Sequence, residues 1–111
     1  MPDRFSATVR TDNGVPVIDL EGEIDGEAEA ALLDAYDRAA EGTDRLVLNF
    51  GPTHYINSTG LAVIVQILAR ARAAGVAIHA FGLTDHYRQI FEITRLVDFV
   101  ALHADEASAI A

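Results

Sequence analysis

A chain of 111 residues is short for two domains but long enough to bury one real core, so residues 1–111 read as a single domain. Half of its residues are hydrophobic, which excludes general disorder, and the absence of cysteine removes disulfides, thiolate nucleophiles and zinc–sulfur sites together. The net charge of −9, from 17 acidic against 8 basic side chains, argues against nucleic acid and anionic membrane as partners, because both demand clustered positive charge. All the basic side chains are arginine and no run concentrates them. Met1-Pro2-Asp3-Arg4-Phe5 lacks the basic-then-apolar plan of a signal peptide, and the apolar run Leu61 to Ala69 is interrupted by Gln66 and too short to insert into a bilayer. A cytoplasmic protein without membrane insertion is expected.

Phe5 to Arg10 alternates apolar and polar residues, Val15 to Leu20 resumes the apolar pattern, and Thr11-Asp12-Asn13-Gly14 between them predicts a hairpin turn. Pro16 suits an edge or the start of a strand. Asp25 is a good N-cap for a helix running to about Ala40, with Ala28, Leu32, Leu33, Tyr36 and Ala39 inward and Gly42 as its C-terminal stop. Leu46 to Phe50 is a short apolar strand of the kind that is buried on both faces. A helix from Leu61 to Ala74 follows, then a strand from Val76 to Phe81. Thr84-Asp85 caps a short helix with Tyr87, Ile90, Phe91 and Thr94 on one face. Phe99 to Leu102 is a last strand and Asp105 to Ala111 a terminal helix. The alternation implies an α/β fold: a mixed, mainly parallel sheet of about five strands with an antiparallel N-terminal strand, covered by about four helices.

The most informative stretch is Tyr55-Ile56-Asn57-Ser58-Thr59-Gly60-Leu61, which delivers three short polar side chains to a helix N-terminus. The first N–H groups there lack intrahelical partners and form the positive end of the helix dipole. Ser58 is either a helix cap or a presented hydroxyl, and Gly60 lets a backbone or a partner come close. Along the helix, Leu61, Ile64, Val65 and Leu68 form a heavy apolar stripe expected in the core. Ala62, Ala69 and Ala73, bordered by Gln66, form a strip of small residues. That strip either receives a partner or lets a neighbouring helix approach.

Enzymatic signatures are missing. No G-x-S-x-G elbow, P-loop or G-x-G-x-x-G occurs, and His54, His79, His86 and His103 have no metal-ligand spacing. His54 is near Ser58 in sequence, but nothing specifies the third group that a serine–histidine pair needs. Asp19, Glu21, Glu23 and Asp25 alternate along one face rather than converging in a cleft; they form either an acidic patch or, as the simpler reading, the solvated side of an edge strand. The expectation is a non-enzyme without metal or cofactor.

Three segments in this order, Leu20-x-Gly22-x-Ile24-Asp25, Leu46-Val47-Leu48-Asn49-Phe50 and Ile56-Asn57-Ser58-Thr59-Gly60-Leu61, resemble the anti-sigma-factor antagonist family of STAS domains. Gly82 to Glu92 looks like the C-terminal signature of that family. The resemblance spans nearly the whole chain and implies a bacterial partner switch. The unphosphorylated antagonist binds an anti-sigma factor that is also a serine kinase, phosphorylation of the loop serine releases it, and a serine phosphatase resets the cycle. By position Ser58 matches the phosphoacceptor, Thr59 the second hydroxyl residue and Gly60 the glycine. Asn57, Ser58, Thr59, Gly60, Ala62, Gln66 and Asp25 are then expected to meet the partner. Two positions depart from the family pattern: Asn57 stands where aspartate is usual, and Arg95 where a glycine would end a helix. A constitutive STAS subunit of a scaffold or transporter complex is the alternative, with Ser58 only a cap. Weak nucleotide binding is a third, without a phosphate loop to support it.

Overall fold

The computed structural model describes residues 4–111, so Met1, Pro2 and Asp3 of the expectation about the N-terminus lie outside the described residues. Strands β1 (Ser6–Asp12) and β2 (Val15–Ile24) form the expected antiparallel hairpin. Its two turn residues, Asn13 and Gly14, both have positive φ (52° and 81°), the combination that a tight hairpin with right-handed strand twist requires. Asp25 caps a single 3-10 turn, Gly26–Ala28, which runs on into α1 (Glu29–Ala40). The other elements are β3 (Arg45–Asn49), β4 (Thr53–Ile56), α2 (Ser58–Ala74), β5 (Ala77–Phe81), α3 (Asp85–Ile93), a 3-10 turn at Leu96–Asp98, β6 (Ala101–His103) and α4 (Glu106–Ile110).

The sheet runs β1-β2-β3-β5-β6, and β4 pairs with the C-terminal end of β2 beyond the point where β3 leaves it. Every pairing except β1 with β2 is parallel. Alternate residues of the central strands sort onto two faces. Ile18, Leu20, Leu46, Leu48, Ile78 and Ala80 join the main core beneath α1 and α2, where Phe91 of α3 meets Phe50 edge-to-face at 6.0 Å. Val15, Val17 and Val47 form a smaller cluster on the opposite face, closed by Ala109 of α4.

Polar ties hold α4 there. The Arg10 guanidinium donates to both carboxylate oxygens of Glu106 (2.8 and 2.7 Å) and to both of Asp19 (2.8 and 3.1 Å). The pairing with Arg10 brings the Glu106 carboxyl down to about 2, while Asp12, next to the Glu106 carboxylate, is raised. Arg45 donates to the carbonyl oxygens of Ala109 (2.8 Å) and Ala111 (3.2 Å).

Five expectations are corrected. The sheet has a sixth strand, β4, whose Thr53-His54-Tyr55 is too short and polar to read as a strand and forms because β2 offers it a free edge. Helix α2 begins at Ser58 rather than Leu61, since Asn57 caps it. Val65 is 44% exposed; the buried α2 residues are Gly60, Val63, Ile64, Ile67, Leu68 and Ala71. Strand β2 is internal, so Asp19 does not face open solvent but binds Arg10 and accepts from Asn49 Nδ2 at 2.8 Å. Finally, β6 starts at Ala101, and Phe99 stands 43% exposed just before it.

Candidate functional site

The C-terminal ends of β2 and β4 and the first turn of α2 meet at one corner. The Asn57 backbone is extended (φ −94°, ψ −179°), and its side-chain Oδ1 accepts from the Gly60 N–H at 2.7 Å. Asn57 is therefore the N-cap, satisfying one of the orphan donors of α2. Its carbonyl accepts the first helical bond from Leu61 N–H (2.8 Å), and its own N–H donates to the Ile24 carbonyl at 3.2 Å.

Capping by Asn57 leaves the next two side chains unoccupied. Ser58 is the first helical residue, exposed, and its hydroxyl has no hydrogen bond to any described residue. Thr59, also exposed, turns its methyl toward Gly26, where an added Cβ would meet Cγ2 at 3.0 Å. Asp25 lies in the same corner, half-buried, its Oδ1 accepting from the Glu27 N–H at 2.9 Å. Gly60 is buried against the end of β2, and a Cβ there would be 1.8 Å from the Ile24 carbonyl oxygen. The close approach anticipated at Gly60 is thus made by the chain's own backbone.

Of the residues expected to meet a partner, Asn57, Ser58, Thr59, Gly60 and Asp25 come together here. Ala62 continues the exposed face one turn further along α2, whereas Gln66 turns toward α1 and donates through Nε2 to Glu29 at 3.0 Å. Arg70 makes a parallel tie to Asp37 of α1 at 2.8 Å, so the solvent edge of the α1–α2 seam is polar. His54 is exposed on β4.

Sequence reasoning missed a recess beside Ser58. About 210 Å³ in volume, it is lined by Ile56, Asn57, Ser58, Leu61, Tyr87 and Ile90. Tyr87 is held there because its hydroxyl accepts from the Ile56 N–H at 2.9 Å, tying α3 to the strand that precedes Ser58. The i, i+3 spacing of Tyr87 and Ile90 was legible, but a covered core face was the simpler use for it.

The corner can take an anion on the free N–H groups of α2 or an apolar group in the recess, and its chemistry goes no further. Among the described residues no three His, Asp or Glu side chains are grouped to hold a metal ion, and no helix is long and apolar enough to cross a membrane.

The family model of the STAS domain matches residues 6–109. The anti-sigma-F factor antagonist RsfB of Mycobacterium tuberculosis is 29% identical, over 78% of this chain and 82% of the relative. An anti-sigma factor antagonist from Mycobacterium paratuberculosis superposes with a TM-score of 0.82 at 22% identity, covering 99% of this chain and 94% of that one. SpoIIAA of Bacillus in its phosphorylated form gives 0.66 at 20% identity, with 96% of each chain covered.

Proposed function

From the fact that this chain belongs to the STAS domain family, we propose that it is an anti-sigma-factor antagonist whose hold on its partner is set by phosphorylation of Ser58. The partner is an anti-sigma factor that is also a serine kinase, and a serine phosphatase reverses the modification. The protein acts by binding, in the bacterial cytoplasm, and catalyses nothing itself. Support for the antagonist role comes from the named relative of 29% identity. The observation that carries the switch is the exposed, uncommitted Ser58 hydroxyl on the first turn of a 17-residue helix whose cap is supplied by Asn57.

That arrangement separates fold from affinity. Phosphate adds roughly −1.5 to −2 charge at neutral pH, and a helix N-terminus accommodates such charge on its free N–H groups. Because the Ser58 side chain contributes no hydrogen bond to α2, modifying its hydroxyl removes nothing the fold uses. A partner packed on the same corner, by contrast, must desolvate the phosphate. A penalty of about 3 kcal/mol weakens binding more than ~100-fold. Asn57, where aspartate is usual, makes the capping bond without adding a second negative charge beside the phosphate.

Intact-mass measurement and site mapping of the protein from its own host test the modification. Titration of the host's anti-sigma factors with wild type, Ser58→Ala and Ser58→Asp tests its consequence. One phosphate on Ser58, with binding kept by Ser58→Ala and lost by Ser58→Asp, is the expected result. An interaction that is indifferent to Ser58→Asp sinks the switch.

A further inference from the structure

Helix α2 presents two different seams. On the α1 side Gln66 and Arg70 are committed to Glu29 and Asp37. On the α3 side there is a groove of about 450 Å³ whose lining includes Val65, Ala69, Ala73, Leu96 and Phe99, with Arg72 its only charged residue. Val65 is 44% and Phe99 43% exposed, a large apolar presence for a small acidic protein.

The groove is in line with the Ser58 corner. Ser58, Ala62, Val65, Ala69 and Arg72 recur at i, i+4, i+7, i+11 and i+14, which stacks them in one sector of a helix. At 1.5 Å per residue the strip extends about 21 Å from Ser58 to Arg72. Its far end has a distinct electrostatic demand. Arg10, Arg38, Arg70 and Arg95 each hold a carboxylate of the chain, and Arg45 holds backbone carbonyls. Arg72, like Arg4 and Arg88, holds neither among the described residues, although acids outnumber basic side chains 17 to 8, and of these three it alone lines the groove. Its guanidinium carbon rests 5.0 Å from the centre of the Phe99 ring, which fixes the cation at the groove mouth.

We infer that the protein that contacts Ser58 also lays an apolar segment along this strip and ends it with a carboxylate on Arg72. The inference rests on the partner-binding reading of the Ser58 corner and extends it to the distal half of α2. A carboxylate there completes the one arginine left open in the groove and stays within reach of a bidentate bond. A second copy of this chain is a poorer occupant, because it adds another −9 of charge to the contact.

The host's anti-sigma factors, purified singly, are titrated by calorimetry with wild type, Ala69→Trp, Arg72→Glu and Arg72→Lys, with circular dichroism confirming that each variant folds. Ala69 and Arg72 are both exposed, so neither change disturbs the core. The expected result is a loss of about tenfold or more for Ala69→Trp and Arg72→Glu and a smaller loss for Arg72→Lys. Ser58→Asp still abolishes binding. Unchanged affinity for Ala69→Trp and Arg72→Glu, with Ser58→Asp still disruptive, overturns the groove and leaves the switch standing. A dimer by light scattering that Ala69→Trp dissolves assigns the groove to self-association and overturns the partner segment. Failure of every anti-sigma factor to bind wild type removes the functional reading, and this inference with it.

Discussion

The Cα of Gly60 lies directly beneath the carbonyl of Ile24, so near that a methyl group at residue 60 would sit 1.8 Å from the oxygen. No rotamer relieves this contact, because both parties are backbone. The glycine is what lets the first turn of α2 dock on the end of β2 while Asn57 donates to that same carbonyl at 3.2 Å. Gly60→Ala must push α2 away from the sheet and open the core around Ile24 and Ile64. We expect a loss of roughly 2–4 kcal/mol of stability by urea denaturation. A change below ~0.5 kcal/mol would show that the helix can shift without cost.

Asn57 is the cap, and its contribution is separable from its charge. Asn57→Ala deletes the acceptor for Gly60 N–H and is expected to cost about 1 kcal/mol. Asn57→Asp keeps an acceptor of the same shape and places a negative charge at a helix N-terminus. Its stability should therefore equal or exceed the wild type by a few tenths of a kcal/mol near neutral pH. Urea midpoints for the pair decide it. Equal losses for alanine and aspartate would mean that the side chain is not capping.

Arg95 occupies the left-handed region, with φ 67° and ψ 18°, where the chain turns from α3 into the 3-10 segment. The resemblance to a family that uses glycine there anticipated the strain, and the backbone bears it. In compensation Arg95 has only an exposed ion pair with Asp98 at 3.2 Å, of the kind that contributes little. Arg95→Gly should accordingly stabilise by roughly 0.5–1 kcal/mol. A lower denaturation midpoint would show that the arginine makes up for its conformation elsewhere.

The elements legible in the sequence were those whose side chains carry a single period. The hairpin, α1, β3, β5 and α3 were marked by alternation, by apolar stripes and by caps at Asp25 and Thr84. Strand β4 was not, because its partner strand decides it rather than its own Thr-His-Tyr pattern. Val65 was misassigned because an apolar residue at the border of a helical stripe looks the same whether a neighbour covers it or not. Only the position of α3 and the 3-10 turn shows that the seam beside it stays open. The Ser58 corner was readable from local chemistry, while the recess made by Tyr87 and Ile90 requires the long-range bond from Ile56 to Tyr87.

On the sheet face beneath α4, His79 of β5 and His103 of β6 share a hydrogen bond, Nδ1 to Nε2, at 2.9 Å. One ring must donate and the other accept, so the bond fails once both are protonated. Burial, then the charges of Arg45 and His103, hold His79 below its ordinary value of 6.5. The unfolded chain therefore takes up the proton more readily than the folded one. This contribution to stability is complete above pH 6.5 and falls as pH drops below it. Glu106, held at about 2 by Arg10, loses its contribution in a separate window, from about 4.5 downward. Thermal melts should show a lower Tm at pH 5.5 than at pH 7.5, and His79→Gln should flatten that difference. An unaltered pH profile in His79→Gln would place the acid-sensitive group elsewhere.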